Sequence, residues 1–410
     1  MSNVYLSPRV LPLLVLGFAS GLPLALTSGT LQAWATVAGV SLTQIGFLTL
    51  VGSAYTLKFL WAPLLDRYAV PFLGRRRGWI ALSQLLLGLS IAAMGLFDPG
   101  AQLGLIALLA VFVAFMSATQ DIAFDAYSTD VLRNTERAAG AAVKVLGYRL
   151  AMIVSSGFAL VIADQWLGWN GMYMAMGLIM GLCAVATFIA PEPEVVVQPP
   201  RSLRSAVVEP LLEFFKRPEA ITILVLIVLY KVGDAFAGAL STTFLIRGAG
   251  FDVSQVGMVN KIFGLAATII GALVGGGLMA RLGLYRSLML FGVLQAVSNF
   301  GYWVLAVNDP HVALMGVVVA IENLCGGMGT AAFVALLMAL CNQQFSATQF
   351  ALLSALSAVG RTYLAGPLTP PLVESLGWPS FFLVTVLLAL PGLWLLWRKR
   401  ATLIALDAQV

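Results

Sequence analysis

Two aspartates, Asp121 and Asp125, stand four residues apart near the end of an apolar run that begins at about Leu103. A carboxylate within a bilayer is costly and marks a pathway, a proton relay or a buried ion pair. The i, i+4 spacing sets both on one helix face, with Ser117 and Ser128 on the same stripe and Gln120 beside it. The next apolar run carries Lys144 and Arg149. At 1.5 Å per residue, Asp121 lies roughly 13 Å and Asp125 roughly 7 Å from the helix end near residue 130. Lys144 and Arg149 lie roughly 9 Å and 16 Å from the same side. These heights match Asp125 with Lys144 and Asp121 with Arg149, and Lys58 falls at the Asp125 level. Such a set can exchange protons, because burial favours the neutral carboxyl while a neighbouring cation favours the carboxylate. The competing reading fixes both aspartates in salt bridges that tie two helices together. Asp125, which faces no arginine, is the expected proton carrier, Asp121–Arg149 the expected structural pair, and Asp130 an end-of-helix residue.

The elements that must hold these groups are set by composition. The 410 residues are 60% hydrophobic and only 10% charged, with one histidine; soluble domains carry about 25% charged residues. Twelve apolar segments, each long enough to cross a bilayer as a helix, lie near 9–34, 41–64, 78–97, 102–129, 137–163, 168–190, 219–246, 253–280, 285–307, 311–340, 346–373 and 377–397. They are numbered here as spans 1 to 12. Runs of this length exclude a barrel, so the chain is an all-α polytopic membrane protein. With a cytoplasmic N-terminus, sixteen Lys and Arg fall on the cytoplasmic side and only Arg247 on the other. That bias puts both termini in the cytoplasm and accounts for the net charge of +5, which is therefore no nucleic-acid signal. Six cations remain inside spans: Lys58, Lys144, Arg149, Lys231, Lys261 and Arg361. Cys183, Cys325 and Cys341 lie in apolar segments without zinc or disulfide spacing.

The chain repeats itself. "AGVSLTQIG" at 38–46 returns as "AGFDVSQVG" at 249–257, and a basic loop after span 2 is echoed after span 8. Two six-helix halves related by a parallel repeat form one of the recurring transporter plans. The organisation expected is an N-terminal bundle over 1–190, a Pro-rich cytoplasmic linker over 191–218, a C-terminal bundle over 219–400 and a tail over 401–410. The second half has its own polar set. Lys231 and Asp234 are i, i+3 on span 7, Glu322 and Asn323 sit mid-depth on span 10, and Arg361 lies on span 11. Lys231 and Glu322 have similar depths and could pair. Glycine clusters at 271–277 and 326–329 permit close helix approach.

Leu64, Asp66, Arg67, Gly74 and Arg75–Arg77 after span 2, echoed by Gly276, Leu278, Arg281, Gly283 and Arg286, resemble the signature loop of the major facilitator superfamily. Ala280 replaces the aspartate in the second copy. "GFASGLPLALTSGTLQAW", "YTLKFLWAPLLDRYAVPFLGRRRGW", "SATQDIAFDAYSTD" and "GYRLAMIVSSG" together resemble the AmpG muropeptide permease family. The resemblance implies the twelve-helix facilitator fold and proton-driven import of anhydro-muropeptides across a bacterial inner membrane, with the proton as coupling ion and no cofactor or metal. Asp66, Arg67 and Arg281 are expected to gate the cytoplasmic rim. Lys58, Gln120, Arg149, Lys231, Asp234, Glu322, Asn323, Arg361, Gln32 and Tyr55 are the candidate substrate contacts. Tyr127, Tyr148, Tyr230 and Trp34 could stack on sugar rings. A small glycopeptide and the lipid bilayer are the expected partners, and a monomer the expected state. The alternative is a transporter of the same plan for another glycopeptide, a siderophore-like metabolite or a drug. An enzyme is not expected, because no catalytic constellation, paired histidines or G-x-S-x-G elbow is present.

Overall fold

A computed structural model describes residues 7–68, 70, 74–133, 136–191, 215, 216, 219–341 and 346–407. Ten helical stretches among them are long and apolar enough to cross a membrane, from Pro12–Val37 to Leu352–Arg398. Leu352–Arg398 breaks at Gly377, whose φ of 75° no other residue type adopts readily, and so holds spans 11 and 12. Span 2 is a series of short pieces, Leu42–Leu48, Thr49–Gly52, Ser53–Leu57, Lys58–Leu60 and Ala62–Arg67, alternating α and 3-10 geometry. Gly46 and Gly52 weaken it, and a proline in the first turn of Ala62–Arg67 restarts it. These account for the twelve expected spans. Leu89, Leu108, Leu178 and Leu273 are all strongly exposed, which suits side chains that meet lipid.

The chain forms two compact units, Met1–Val40 with Val51–Pro199, and Ser41–Leu50 with Pro200–Val410. Ser41–Leu50, from span 2, groups with the second unit. A Cβ on Gly46 would stand 2.5 Å from Pro370 Cγ and 2.6 Å from the Gly366 carbonyl oxygen, so only a glycine fits there. The expected linker lies largely outside the described residues. The expected tail is a helix, Arg400–Asp407, whose Leu403 is buried in the core of the second unit.

In the first unit, span 1 runs along span 5, and span 3 packs on spans 4 and 6. Gly17, Gly21 and Gly147 bring spans 1 and 5 backbone to backbone. The core gathers Leu13, Leu16, Ile80, Phe124 and Tyr127. In the second unit span 10 packs on spans 8 and 9, where Gly271, Gly275 and Gly327 allow the close approach expected of them.

The repeat is visible in the backbone. Ser41 with Gln44, and Asp252 with Gln255, both form capping boxes that open the repeated segment. The six glycines with positive φ fall into three pairs across the repeat: Gly39 with Gly250, Gly74 with Gly283, and Gly168 with Gly377. The last pair sits in "LGW" at 167–169 and again at 376–378.

Candidate functional site

Span 4 is helical after a kink at Gln102, within Pro99–Val131, and span 5 begins as Arg137–Met152. Together with span 1 they enclose a cavity of about 310 Å³ lined by Gly17, Ser20, Asp121, Phe124, Asp125, Lys144, Val145, Tyr148 and Arg149. That is at the lower end of the range for small-ligand pockets. Lys144 forms an ion pair with Asp125, as the depths predict. Its ammonium also donates to Ser128 Oγ at 3.3 Å and lies 4.7 Å from the centre of the Phe124 ring.

Asp121 departs from expectation. Its Oδ1 accepts a hydrogen bond from Ser20 Oγ at 2.5 Å, and no ion pair joins it to Arg149. The charges that act on it are those of Lys58, Asp125 and Lys144. Depth fixes how far along the bundle axis a residue lies, not the direction in which its side chain points. Asp121 turns towards span 1, and Arg149 is exposed on the cavity wall. Asp125 is therefore in an ion pair and Asp121 on a hydroxyl. Ser20 was missed from sequence; its signal is a small polar residue between Gly17 and Gly21 on the face that meets span 5.

Spans 2 and 4 also hold buried polar groups without a partner among the described residues. Gln120 is 1% exposed, and neither its Oε1 nor its Nε2 finds a hydrogen bond among the described residues. The hydroxyls of Tyr55 and Ser117 are buried and unsatisfied in the same way. Unsatisfied buried polar atoms are uncommon and costly, so a bound group or water is the natural partner. Gln32 is buried in Gly29–Val37. Lys58 is half-buried at the start of a 3-10 turn.

Most of the candidate aromatics pack in the core. Trp34 is 3% exposed and packs on Trp169 and Tyr173. The Tyr127 hydroxyl donates to the Pro191 carbonyl at 2.8 Å and that of Tyr230 to the Leu288 carbonyl at 3.0 Å, so both rings serve the core. Tyr148 does line the cavity. Asp130 lies in the last turn of the span 4 helix, as expected, and pairs there with Arg76 at 3.1 Å.

In the second unit, Lys231 pairs with Asp234 at 3.8 Å and reaches Thr330 Oγ1 at 3.3 Å. The expected Lys231–Glu322 pair does not form. Asn323 Nδ2 donates to Glu322 Oε2 at 2.8 Å and to the Val319 carbonyl at 3.0 Å, and its Oδ1 accepts from Thr268 at 3.0 Å. Those bonds commit Asn323 to the seam between spans 8 and 10. Glu322 lies beside Tyr302 and within the field of Asp234, Lys231 and Lys261. Lys261 donates to Thr242 Oγ1 at 2.7 Å. Arg361 is exposed on Gly360–Ala365. Arg281 is exposed in the last turn of Gly264–Leu282, while the side chains of Asp66 and Arg67 lie outside the described residues. No cluster of metal-binding side chains occurs among the described residues.

A twelve-span helical fold with paired charges inside its spans defines a class of protein, and comparison with known sequences agrees. Residues 13–363 match the Major Facilitator Superfamily. The anhydromuropeptide permease of Escherichia coli K12 is 61% identical over 98% of this chain and 83% of its own length. A putative transporter, AmpG 4, of Rickettsia conorii is 32% identical over 97% of each chain. The chain belongs to the major facilitator superfamily and, within it, to the AmpG permease family. It is a multi-pass membrane transporter, as its relatives are, and not an enzyme. Among solved structures, a bacterial homologue of the human lysosomal transporter Spinster superposes with a TM-score of 0.75 at 16% identity, covering 99% of both chains. A D-xylose–proton symporter superposes with a TM-score of 0.70 at 13% identity over 96% and 97% of the two chains. At such identities these two speak for the fold alone.

Proposed function

We propose that the protein imports anhydro-muropeptides by alternating access, coupled to the inward movement of protons across a bacterial inner membrane, with both termini in the cytoplasm. The cargo is argued from the 61% identity to a permease of that name along nearly the whole chain. The unsatisfied donors and acceptors of Gln120, Tyr55 and Ser117 suit a ligand rich in hydroxyls and amides. Coupling rests on one observation: of two carboxylates on one cavity wall, Asp125 is held by Lys144 and Asp121 only by the Ser20 hydroxyl.

Protonating Asp125 breaks an ion pair, whereas protonating Asp121 only reorganises a hydroxyl hydrogen bond. Asp121 is therefore the carrier. The lining charges Asp121, Asp125, Lys144 and Arg149 sum to zero when all are ionised. A proton on Asp121 leaves the cavity with a net positive charge, which favours an anionic ligand. Binding and protonation then strengthen each other by the same factor, which is what symport requires. Asp66, Arg67 and Arg281 are proposed to act at the rim, and Lys58 and Arg149 to meet the ligand's anionic groups.

The test is uptake of labelled anhydro-disaccharide tripeptide into proteoliposomes with and without an inward proton gradient. Accumulation that requires the gradient supports the reading. Uptake that ignores the gradient removes coupling, and no uptake by a folded, inserted protein removes the cargo.

A further inference from the structure

Span 12 ends on a run of aromatic and basic residues that the transport site does not use: Trp394, Trp397, Arg398, Lys399 and Arg400. One face of this helix, with Phe382, Leu395 and Leu396, is buried in the second unit. Another carries Leu387, Leu390, Trp394 and Trp397, whose spacings of three and four make one stripe along a helix, and each is more than half exposed. The rise from Leu387 to Trp397 is about 15 Å, half of a hydrocarbon core about 30 Å thick. The stripe is therefore as long as one layer of acyl chains, and the indoles at its end suit the headgroup level.

The three cations at this end are not equivalent. Lys399 is held by Glu219 at 2.6 Å. The Arg398 guanidinium lies 5.4 Å from the centre of the Trp394 ring, and that of Arg400 5.6 Å from the Trp397 ring. Trp394 and Trp397 are i, i+3, so this stacking places the two guanidiniums over neighbouring indoles on the lipid side of the helix. Both arginines are exposed, and no acid pairs with either among the described residues. The helix Arg400–Asp407 packs on span 9 and buries Leu403 in the core of the second unit, which fixes Arg400 beside the end of span 12.

We propose that the end of span 12 binds an anionic phospholipid, whose phosphodiester lies on Arg398 and Arg400 and whose acyl chain runs along Trp397, Trp394, Leu390 and Leu387. A guanidinium offers two parallel N–H donors to two phosphate oxygens, and stacking on an indole fixes the plane of that fork while its edge stays open. A zwitterionic headgroup brings its own cation, which the two arginines repel. A phosphatidylglycerol headgroup carries none, so the site selects lipids of net negative charge. This inference does not depend on the identity of the cargo.

The test counts lipids bound to the purified, full-length protein by native mass spectrometry, with phosphatidylglycerol or phosphatidylcholine of the same acyl chains added in detergent. The wild type is expected to hold one phosphatidylglycerol in preference to phosphatidylcholine. Arg398→Gln and Arg400→Gln should each cut that preference about fivefold, the scale of one cation at an anionic membrane surface. An unchanged preference when both are substituted overturns the site. Glycerol 3-phosphate should not displace the lipid; displacement by it identifies a site for free phosphate and overturns the lipid assignment. A second readout locates the lipid and needs no arginine variant. Phosphatidylglycerol brominated on its acyl chains should quench tryptophan fluorescence more than brominated phosphatidylcholine does, and Trp394→Phe with Trp397→Phe should remove the excess. Equal quenching by the two lipids, or an excess that survives the tryptophan substitutions, overturns the proposal.

Discussion

Gly147→Ala tests the packing that builds the cavity wall. A Cβ at residue 147 would stand 2.1 Å from the Leu14 carbonyl oxygen and 2.9 Å from the Phe18 nitrogen. Both are backbone atoms and cannot rotate away, so spans 1 and 5 must part by about 1 Å, and overpacking of this kind costs about 1–3 kcal/mol. The intrinsic helix gain from Gly to Ala offsets about 1 kcal/mol of that. Gly181→Ala, on span 6, is the control, because nothing lies within 4 Å of the added carbon; it keeps the gain without the clash. The two variants should therefore differ by about 1–3 kcal/mol, a few degrees in melting temperature, with Gly181→Ala the more stable. The assay is thermal unfolding of the purified protein followed by size-exclusion fluorescence, beside uptake. Gly17 meets the Lys144 carbonyl on the same interface and lines the cavity, so uptake by Gly147→Ala should fall as well. A Gly147→Ala protein that melts with or above Gly181→Ala would refute the close-packed geometry.

Other outcomes follow from single contacts. Lys144→Gln removes the partner of Asp125; because that carboxylate is 59% exposed, the stability loss should stay near 0–1 kcal/mol, and the measurable effect should be on uptake. At the start of span 5, Glu136 Oε1 accepts from Ser7 Oγ at 2.6 Å and its other oxygen from the Arg133 backbone N–H at 3.1 Å. The Ser7 hydroxyl first, and then that N–H, hold the Glu136 carboxyl below its ordinary range. A depressed carboxyl stabilises the fold above its unfolded value and loses that contribution as pH falls through the folded one. Ser7→Ala should thus melt below the wild type at neutral pH, with the gap closing in acid; a gap that widens in acid would contradict it.

Much of this was legible in the residues, for identifiable reasons. Span length and the basic bias follow from bilayer thickness and charge, so the architecture could be read without coordinates. The Asp125–Lys144 pair was readable because height along two neighbouring helices was enough to match them. The partner of Asp121 was not readable, because height carries no information on rotation, and the group that meets it, Ser20, belongs to a helix a hundred residues away. The places of the tyrosines and the tryptophan were not readable, because an aromatic ring in an apolar span looks the same whether it faces core or cargo. The π-helical turns under Lys261 and Arg361 leave no periodic signature over so few residues. Glycine identity marked the repeat better than the apolar pattern did, since a positive φ restricts sequence more tightly than burial does.

The most direct test of the account separates movement of cargo from its coupling at one carboxyl. Asp121→Asn and Asp125→Asn are reconstituted beside the wild type, and each is measured for muropeptide counterflow without a gradient and for accumulation with one. The account predicts that Asp121→Asn keeps counterflow and accumulates no more with the gradient than without it, while Asp125→Asn still responds to the gradient. Gradient-driven accumulation by Asp121→Asn at the wild-type level would contradict the assignment of the proton to Asp121.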